Sequence, residues 1–207
     1  MIEYKISSNN PAAHYFDIEL SVANPDPGGQ VVRMPAWIPG SYMSRDFARQ
    51  IVEIAAFSND NQLRLTQLDK SSWQIEPCAR SLTVRYRVYA WDLSVRGAHL
   101  DTTHGYFNGA SVFLEVIGQS KDPCHLEIVA PEVPSVDQWK VATTLCRQDT
   151  EVSTEVDWGF GHFIADDYQD LIDHPVEMGR FTQFDFSACG VRHDVVLSGR
   201  FNCDNQR

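Results

Sequence analysis

His14-Tyr15-Phe16-Asp17-Ile18-Glu19-Leu20-Ser21-Val22 decides the fold class of this 207-residue chain. In an extended backbone successive side chains point to opposite faces. Phe16, Ile18, Leu20 and Val22 therefore share one face, and Tyr15, Asp17, Glu19 and Ser21 share the other. That alternation predicts a strand with one face buried. Leu82–Trp91 repeats it, with Leu82, Val84, Tyr86, Val88 and Ala90 on one side. Its second face (Thr83, Arg85, Arg87, Tyr89, Trp91) is also bulky, so partial cover is expected there.

Gln30–Met34, Ser111–Ile117, His125–Val129 and Val191–Leu197 read as further strands. Clusters of Asn, Asp, Pro and Gly separate the strands: residues 24–29, 58–61, 108–109, 121–123 and 131–134. Strands at short spacing with turns between them predict an all-β, sandwich-like domain. Helical signal is thin. Ser44–Gln50 could form one or two turns, with Ser41 a candidate cap, and Asp166–Asp173 a short helix capped by Asp166 and stopped before Pro175. A boundary is expected near Asp173-His174-Pro175, giving a β domain over residues 1–173 and the start of another over 174–207. In the second part Glu177–Phe186 and Val191–Phe201 read as a hairpin around Ala188-Cys189-Gly190. The chain stops at Arg207 without a closing element, as a truncated domain would.

Composition narrows the partners. The net charge is −11, from 17 basic and 28 acidic residues. This argues against nucleic acid, which needs a basic face, and against anionic membrane surfaces. Nine of the carboxylates fall in residues 147–180: Asp149, Glu151, Glu155, Asp157, Asp166, Asp167, Asp170, Asp173 and Glu177. They form either a solvated acidic face or a negative rim beside a site for cationic substrates. The five cysteines are odd in number and widely spaced, which suits free thiols in a reducing compartment. The first residues lack an apolar signal region and no run is long enough to span a membrane, so the chain reads as cytoplasmic.

Self-contained catalytic motifs are missing. No nucleophile elbow, phosphate loop or His-Glu-x-x-His occurs. His99 and His104 lie five apart in a stretch with a loop-like look, and opposite strand faces would separate them, so no metal ligand and no cofactor is expected within this chain. Asp166, Asp167 and Asp170 could supply paired carboxylates, but a helix cap and a solvated face explain them equally well. The densest stretch is Trp37-Ile38-Pro39-Gly40-Ser41-Tyr42-Met43-Ser44-Arg45-Asp46-Phe47-Ala48-Arg49, a Pro-Gly corner followed by aromatics and charge. It reads as a packed turn, with Trp37 and Phe47 as core anchors and Arg45 paired to Asp46, or as one wall of a site.

With Asp92-Leu93-Ser94-Val95-Arg96, Gly105-Tyr106-Phe107-Asn108-Gly109 and Asp167–Gly179, taken in order, that stretch resembles the N-terminal part of the glycyl aminopeptidase family, predicted zinc proteases with a PDZ domain. The resemblance runs over nearly the whole chain. It implies an N-terminal β domain, then a thermolysin-like zinc domain, then a PDZ-like domain. The family's zinc ligands and general base match no residue here. What carries over is a non-catalytic β domain that helps form the amino-terminal side of a peptide-binding cleft. Its partners would be its own catalytic and PDZ-like domains and the peptide substrate, with zinc expected in the full-length protein. An aminopeptidase must hold a free ammonium group with carboxylates and carbonyls. Glu177 is the first substrate-binding candidate, with Asp46 and Tyr42 behind it. The alternatives are a stand-alone ligand- or protein-binding β module using the 37–49 loop, and a hydrolase working with its own carboxylates.

Overall fold

The computed structural model describes residues 1–38, 41–132, 134, 136–148 and 158–202. The Pro39-Gly40 corner, Asp149, Glu151, Glu155, Asp157 and Cys203 lie outside the described residues. Eight strands form one long sheet, in the order Cys146–Arg147, Gly161–Ala165, Cys124–Ile128, Ile2–Ser7, Tyr15–Val22, Leu82–Tyr89, Ile51–Ser58, Asn61–Leu63. Two four-stranded sheets and a separate two-stranded hairpin complete the architecture. Among the described residues helix is limited to Tyr168–Asp173 and four 3-10 turns. The all-β expectation holds.

Register explains why the alternating strand folds as it does. Phe16, Ile18, Leu20 and Val22 lie opposite Val88, Tyr86, Val84 and Leu82. Ile18, Leu20 and Val22 also face Ile6, Tyr4 and Ile2, which in turn pair with Ile128, Leu126 and Cys124. All these side chains are buried. A slip of one residue would turn every one of them to solvent, so burial fixes the pairing. On the outer face Asp17 accepts from Arg87 at 2.7 Å, Glu19 from Arg85 at 2.8 Å, and Glu127 pairs with Lys5 at 2.9 Å. Arg85 and Arg87 also lie over the rings of Phe57 and Tyr15. The partial cover expected for this face thus comes from its own long side chains.

The inner face is closed by a segment that the sequence misreads. Ser111–Ile117 is not a strand throughout. Gly109–Ser111 is a 3-10 turn capped by the Asn108 side chain, Val112–Leu114 is irregular, and only Glu115–Val116 pairs as strand. Residues 110–114 are all buried. Buried irregular backbone needs hydrogen-bond partners, and three tyrosines supply them. Tyr86, Tyr168 and Tyr4 donate their hydroxyls to the carbonyls of Val112, Phe113 and Leu114 at 2.8, 2.8 and 2.7 Å. The Leu114 amide donates back to Tyr86 Oη at 3.1 Å. Burial pushes all three phenols well above their ordinary range.

Two smaller corrections follow the same logic. The helix cap is Asp167, not Asp166: its carboxylate accepts from the Asp170 amide at 2.9 Å and binds Lys121 at 2.6 Å. Glu177–Phe186 is also not one strand. Val176–Gly179 joins the sheet of Lys140–Ala142, His104–Phe107 and Ala98–Leu100, while Phe181–Ala188 pairs with Val191–Ser198 in the separate hairpin. The break falls at Gly179, whose φ of 145° lies in the region that favours glycine. A Cβ there would come within 2.9 Å of His104 Cβ. No helix among the described residues is long and apolar enough to cross a membrane.

Candidate functional site

Glu177 sits in the short strand Val176–Gly179, opposite Tyr106 on one side and Ala142 on the other. It is half-buried, and Ser198 Oγ of the hairpin donates to its Oε1 at 2.5 Å. Burial raises its pKa above the ordinary glutamate range, opposed by the Ser198 hydrogen bond and by His104. No lysine or arginine pairs with it among the described residues. Tyr106 shares this environment, and its phenol is raised by burial and by the Glu177 charge.

Tyr106 also ties the motifs together. Its hydroxyl donates to the Val95 carbonyl at 2.7 Å, joining the 92–96 segment to the 105–109 segment beside Glu177. The Phe47–Gln50 turn packs on Gly109–Ser111, and Arg45, Phe47, Asp92, Gly97 and Ser111 line one narrow crevice. The fold therefore gathers the other three singled-out stretches around the 105–111 segment. A larger cleft of about 530 Å³ opens beside Ser198, lined by Thr102, Thr103, His104, Trp139, Arg180 and Gly199.

The other two candidates lie in different settings. Asp46 binds Lys70 at 2.6 Å, not Arg45 as expected. That hydrogen bond holds its carboxyl below the usual range. Its backbone adopts φ 46°, a left-handed conformation that Asp tolerates better than most residues. Arg45 leaves its Nε buried and without a partner among the described residues. Tyr42 is fully exposed. Phe47 is a core anchor, but Trp37 is not: it is 53% exposed, with its indole N–H donating to the Ser41 carbonyl. Trp37, Tyr42, Met43, Trp91, Leu93 and Val95 all leave large apolar surface in solvent.

His99 and His104 are not kept apart. The turn at residues 101–103 folds their strands into a hairpin, so the rings stack with centroids 4.8 Å apart. Opposite faces of a single strand would separate the two rings, but the loop between them reverses the chain and brings them together. Asp101 supplied the missed signal, since Asp at the start of a short polar loop favours an Asx turn. The Asp167 and Asp170 carboxylates are accounted for by the helix cap, by Lys121 and by His174, which lies 3.1 Å from Asp170, while Asp166 contributes its amide, which donates to Asp170 at 2.9 Å. Cys78, Cys124, Cys146 and Cys189 are free thiols. Burial, with Asp167 nearby, pushes the Cys124 thiol up to about 12.

Comparison with known proteins places this geometry in context. Residues 3–180 match the family model of the Peptidase M61 N-terminal domain. No curated protein matches the chain. An aminopeptidase N family protein from Idiomarina loihiensis superposes with a TM-score of 0.91 at 40% identity, over 100% of this chain and 34% of that one. An M1 zinc metallopeptidase from Deinococcus radiodurans gives a TM-score of 0.48 at 12% identity, over 90% of this chain and 43% of that one. The chain thus spans about a third of the length of the Idiomarina protein.

Proposed function

The chain belongs to the Peptidase M61 N-terminal domain family, and from that membership we propose that it is the non-catalytic β domain of a zinc-dependent aminopeptidase. In this reading residues 1–173 form the β domain and residues 174–207 begin the catalytic domain. The catalytic zinc and its general base lie beyond Arg207, followed by a PDZ-like domain. This chain's own residues do not fit that zinc. It has no His-Glu-x-x-His, and the one grouping of possible ligands among the described residues, His99, Asp101 and His104, is on a hairpin without a glutamate base. When bound, zinc supplies a polarised carbonyl and an activated water.

What this chain contributes is the amino-terminal side of the cleft. The observation that carries the reading is Glu177: a half-buried carboxylate whose charge is disfavoured by burial and which has no lysine or arginine partner among the described residues. An incoming ammonium would restore the missing counter-charge and form charge-assisted hydrogen bonds. The exposed apolar surface of Trp37, Tyr42, Met43, Trp91, Leu93 and Val95 supports a covered face, and the catalytic domain is its proposed cover. Asp46 and Tyr42 would then sit at the rim, Asp46 with its charge already shared with Lys70.

The test uses the full-length enzyme. Glu177→Gln is expected to lower kcat/KM for free-amine substrates more than tenfold, about 1.4 kcal/mol, and to spare amine-blocked substrates. Equal losses on both would show that Glu177 acts structurally.

A further inference from the structure

The tip of the hairpin formed by Ala98–Leu100 and His104–Phe107 gathers three groups able to share one cation. His99 Nε2 lies 3.3 Å from Asp101 Oδ2, and His104 Nδ1 lies 3.7 Å from Asp101 Oδ1. One ligand atom from each residue lies within 4.8 Å of the other two.

Asp101 is held as a metal-ligating carboxylate would be. Its Oδ1 accepts from the Thr103 amide and hydroxyl, each at 2.6 Å, and from the His104 amide at 3.0 Å. Burial opposes its charge, but these hydrogen bonds outweigh burial and hold the carboxyl well below the usual range. Oδ2 meets His99 and keeps lone pairs to spare. His99 is 3% exposed, and its Nδ1 is buried with no partner among the described residues. Its ring is fixed between Trp91 and His104, with centroids 4.8 Å away on each side. Asp101 is thus fixed before any ion arrives, and His99 is held on one side by Trp91. The third, His104, lines the 530 Å³ cleft and is partly exposed.

We propose that His99, Asp101 and His104 bind a borderline divalent transition ion of the Zn²⁺, Ni²⁺ or Co²⁺ class. Two imidazoles and one carboxylate make a mixed nitrogen and oxygen donor set, which suits these ions better than Mg²⁺ or Ca²⁺. Ligand atoms about 2.0–2.2 Å from a tetrahedral zinc lie about 3.3 Å from each other. Closing from 4.8 Å requires the His104 ring to turn out of its stack on His99. The open coordination positions would face the cleft, where water or a ligand group completes the shell. The ion would also place positive charge next to the strand of Glu177, because His104 pairs with Gly179, two residues along.

The test is calorimetric titration of the chelator-treated 207-residue chain with ZnCl₂ and with NiCl₂. One saturable site is expected. His104→Ala should weaken it by at least about tenfold, and so should His104→Gln, which keeps the bulk. His125→Ala with His162→Ala, on the outer face of the long sheet, should leave it unchanged. Zinc should raise the melting temperature of the parent chain and not that of the His104 variants. Circular dichroism checks that each variant is folded, and His104→Gln stands in if the alanine variant is not. Absence of saturable binding, binding unchanged in both His104 variants, or loss in the His125/His162 variant would each overturn the site.

Discussion

Two regions that read alike in sequence fold in opposite ways. Residues 111–117 and the hairpin Phe181–Ser198 were both legible as strands. The first is mostly irregular backbone, buried under three tyrosine hydroxyls. The second is regular from end to end, with eight consecutive residue pairs, yet most of it is exposed. Its described ties to the rest of the chain are few: Trp158 and Lys140 against the Phe181 ring, Lys140 to Gln183 and Ser198 to Glu177. Regular hydrogen bonding and burial are therefore separate properties here. An isolated two-stranded hairpin is marginal in water, so stability should be concentrated in the irregular segment.

The sharpest way to break this contrast is to open a cavity under the irregular segment. Phe113→Ala removes a buried ring packed edge-on to Phe107 and tilted against Tyr4. It should cost about 3–5 kcal/mol, read by denaturant unfolding. The next largest effect should come from Tyr86→Phe, at about 1–3 kcal/mol. Tyr86 both donates to Val112 and accepts from Leu114, so its loss strands two buried backbone groups. Tyr168→Phe strands one and should cost less. Equal losses would mean that the hydroxyls fill space and do not serve as hydrogen-bond partners.

The hairpin supplies the opposite arm. Phe186→Ala removes a ring that is 49% exposed and stacked on His193 of the same hairpin. It should change global stability by less than about 0.5 kcal/mol. Hairpin amides should also exchange with solvent faster than those of Tyr15–Val22. A global loss from Phe186→Ala comparable to that from Tyr86→Phe would show that the hairpin belongs to the body's cooperative unit.

The same contrast explains what the sequence disclosed. Alternation at Tyr15–Val22 and Leu82–Tyr89 was decisive because burial there follows the period of the strand. The hairpin turn was legible because Cys189 and Gly190 must both take positive φ, a demand that Gly meets at no steric cost. Val112–Leu114 was not legible. A continuous apolar run looks the same in a buried strand and in a buried loop, and the hydroxyls that decide between them come from residues 26 to 110 positions away. In the candidate site, Glu177 and the loop motifs stood out by composition. Ser198, the placement of Tyr106 opposite Glu177 and the His99–His104 stack emerged only in the folded chain. The Lys70 partner of Asp46 was hidden by sequence distance, which made adjacent Arg45 look the natural choice.

A final test, read as a pH-dependent difference, addresses the seam where Ser198 of the hairpin meets Glu177 of the strand Val176–Gly179. Burial raises the Glu177 pKa above the ordinary glutamate value of 4.5. The folded state therefore holds the proton more tightly than the unfolded chain does. Below about pH 4.5 the group is protonated in both states and carries no charge-burial penalty. As pH rises through the folded pKa the unfolded chain releases its proton more readily, and the folded state bears the full cost of a buried charge. Glu177→Gln removes that charge while keeping an acceptor for Ser198. It should therefore raise the melting temperature slightly at neutral pH, by no more than about 1 kcal/mol in stability. The gap should close as the pH falls toward 4.5. Asp101 works in the opposite sense. Its carboxyl is depressed by hydrogen bonds from Thr103 and His104, so the stability it contributes is present above its unfolded pKa and lost in acid. Melting curves of the parent chain and Glu177→Gln between pH 4 and 8 separate the possibilities. A gap that grows toward acid, or a variant less stable at neutral pH, would mean that a cation already neutralises Glu177, and the seam would be a closed ion pair with no vacancy for an ammonium.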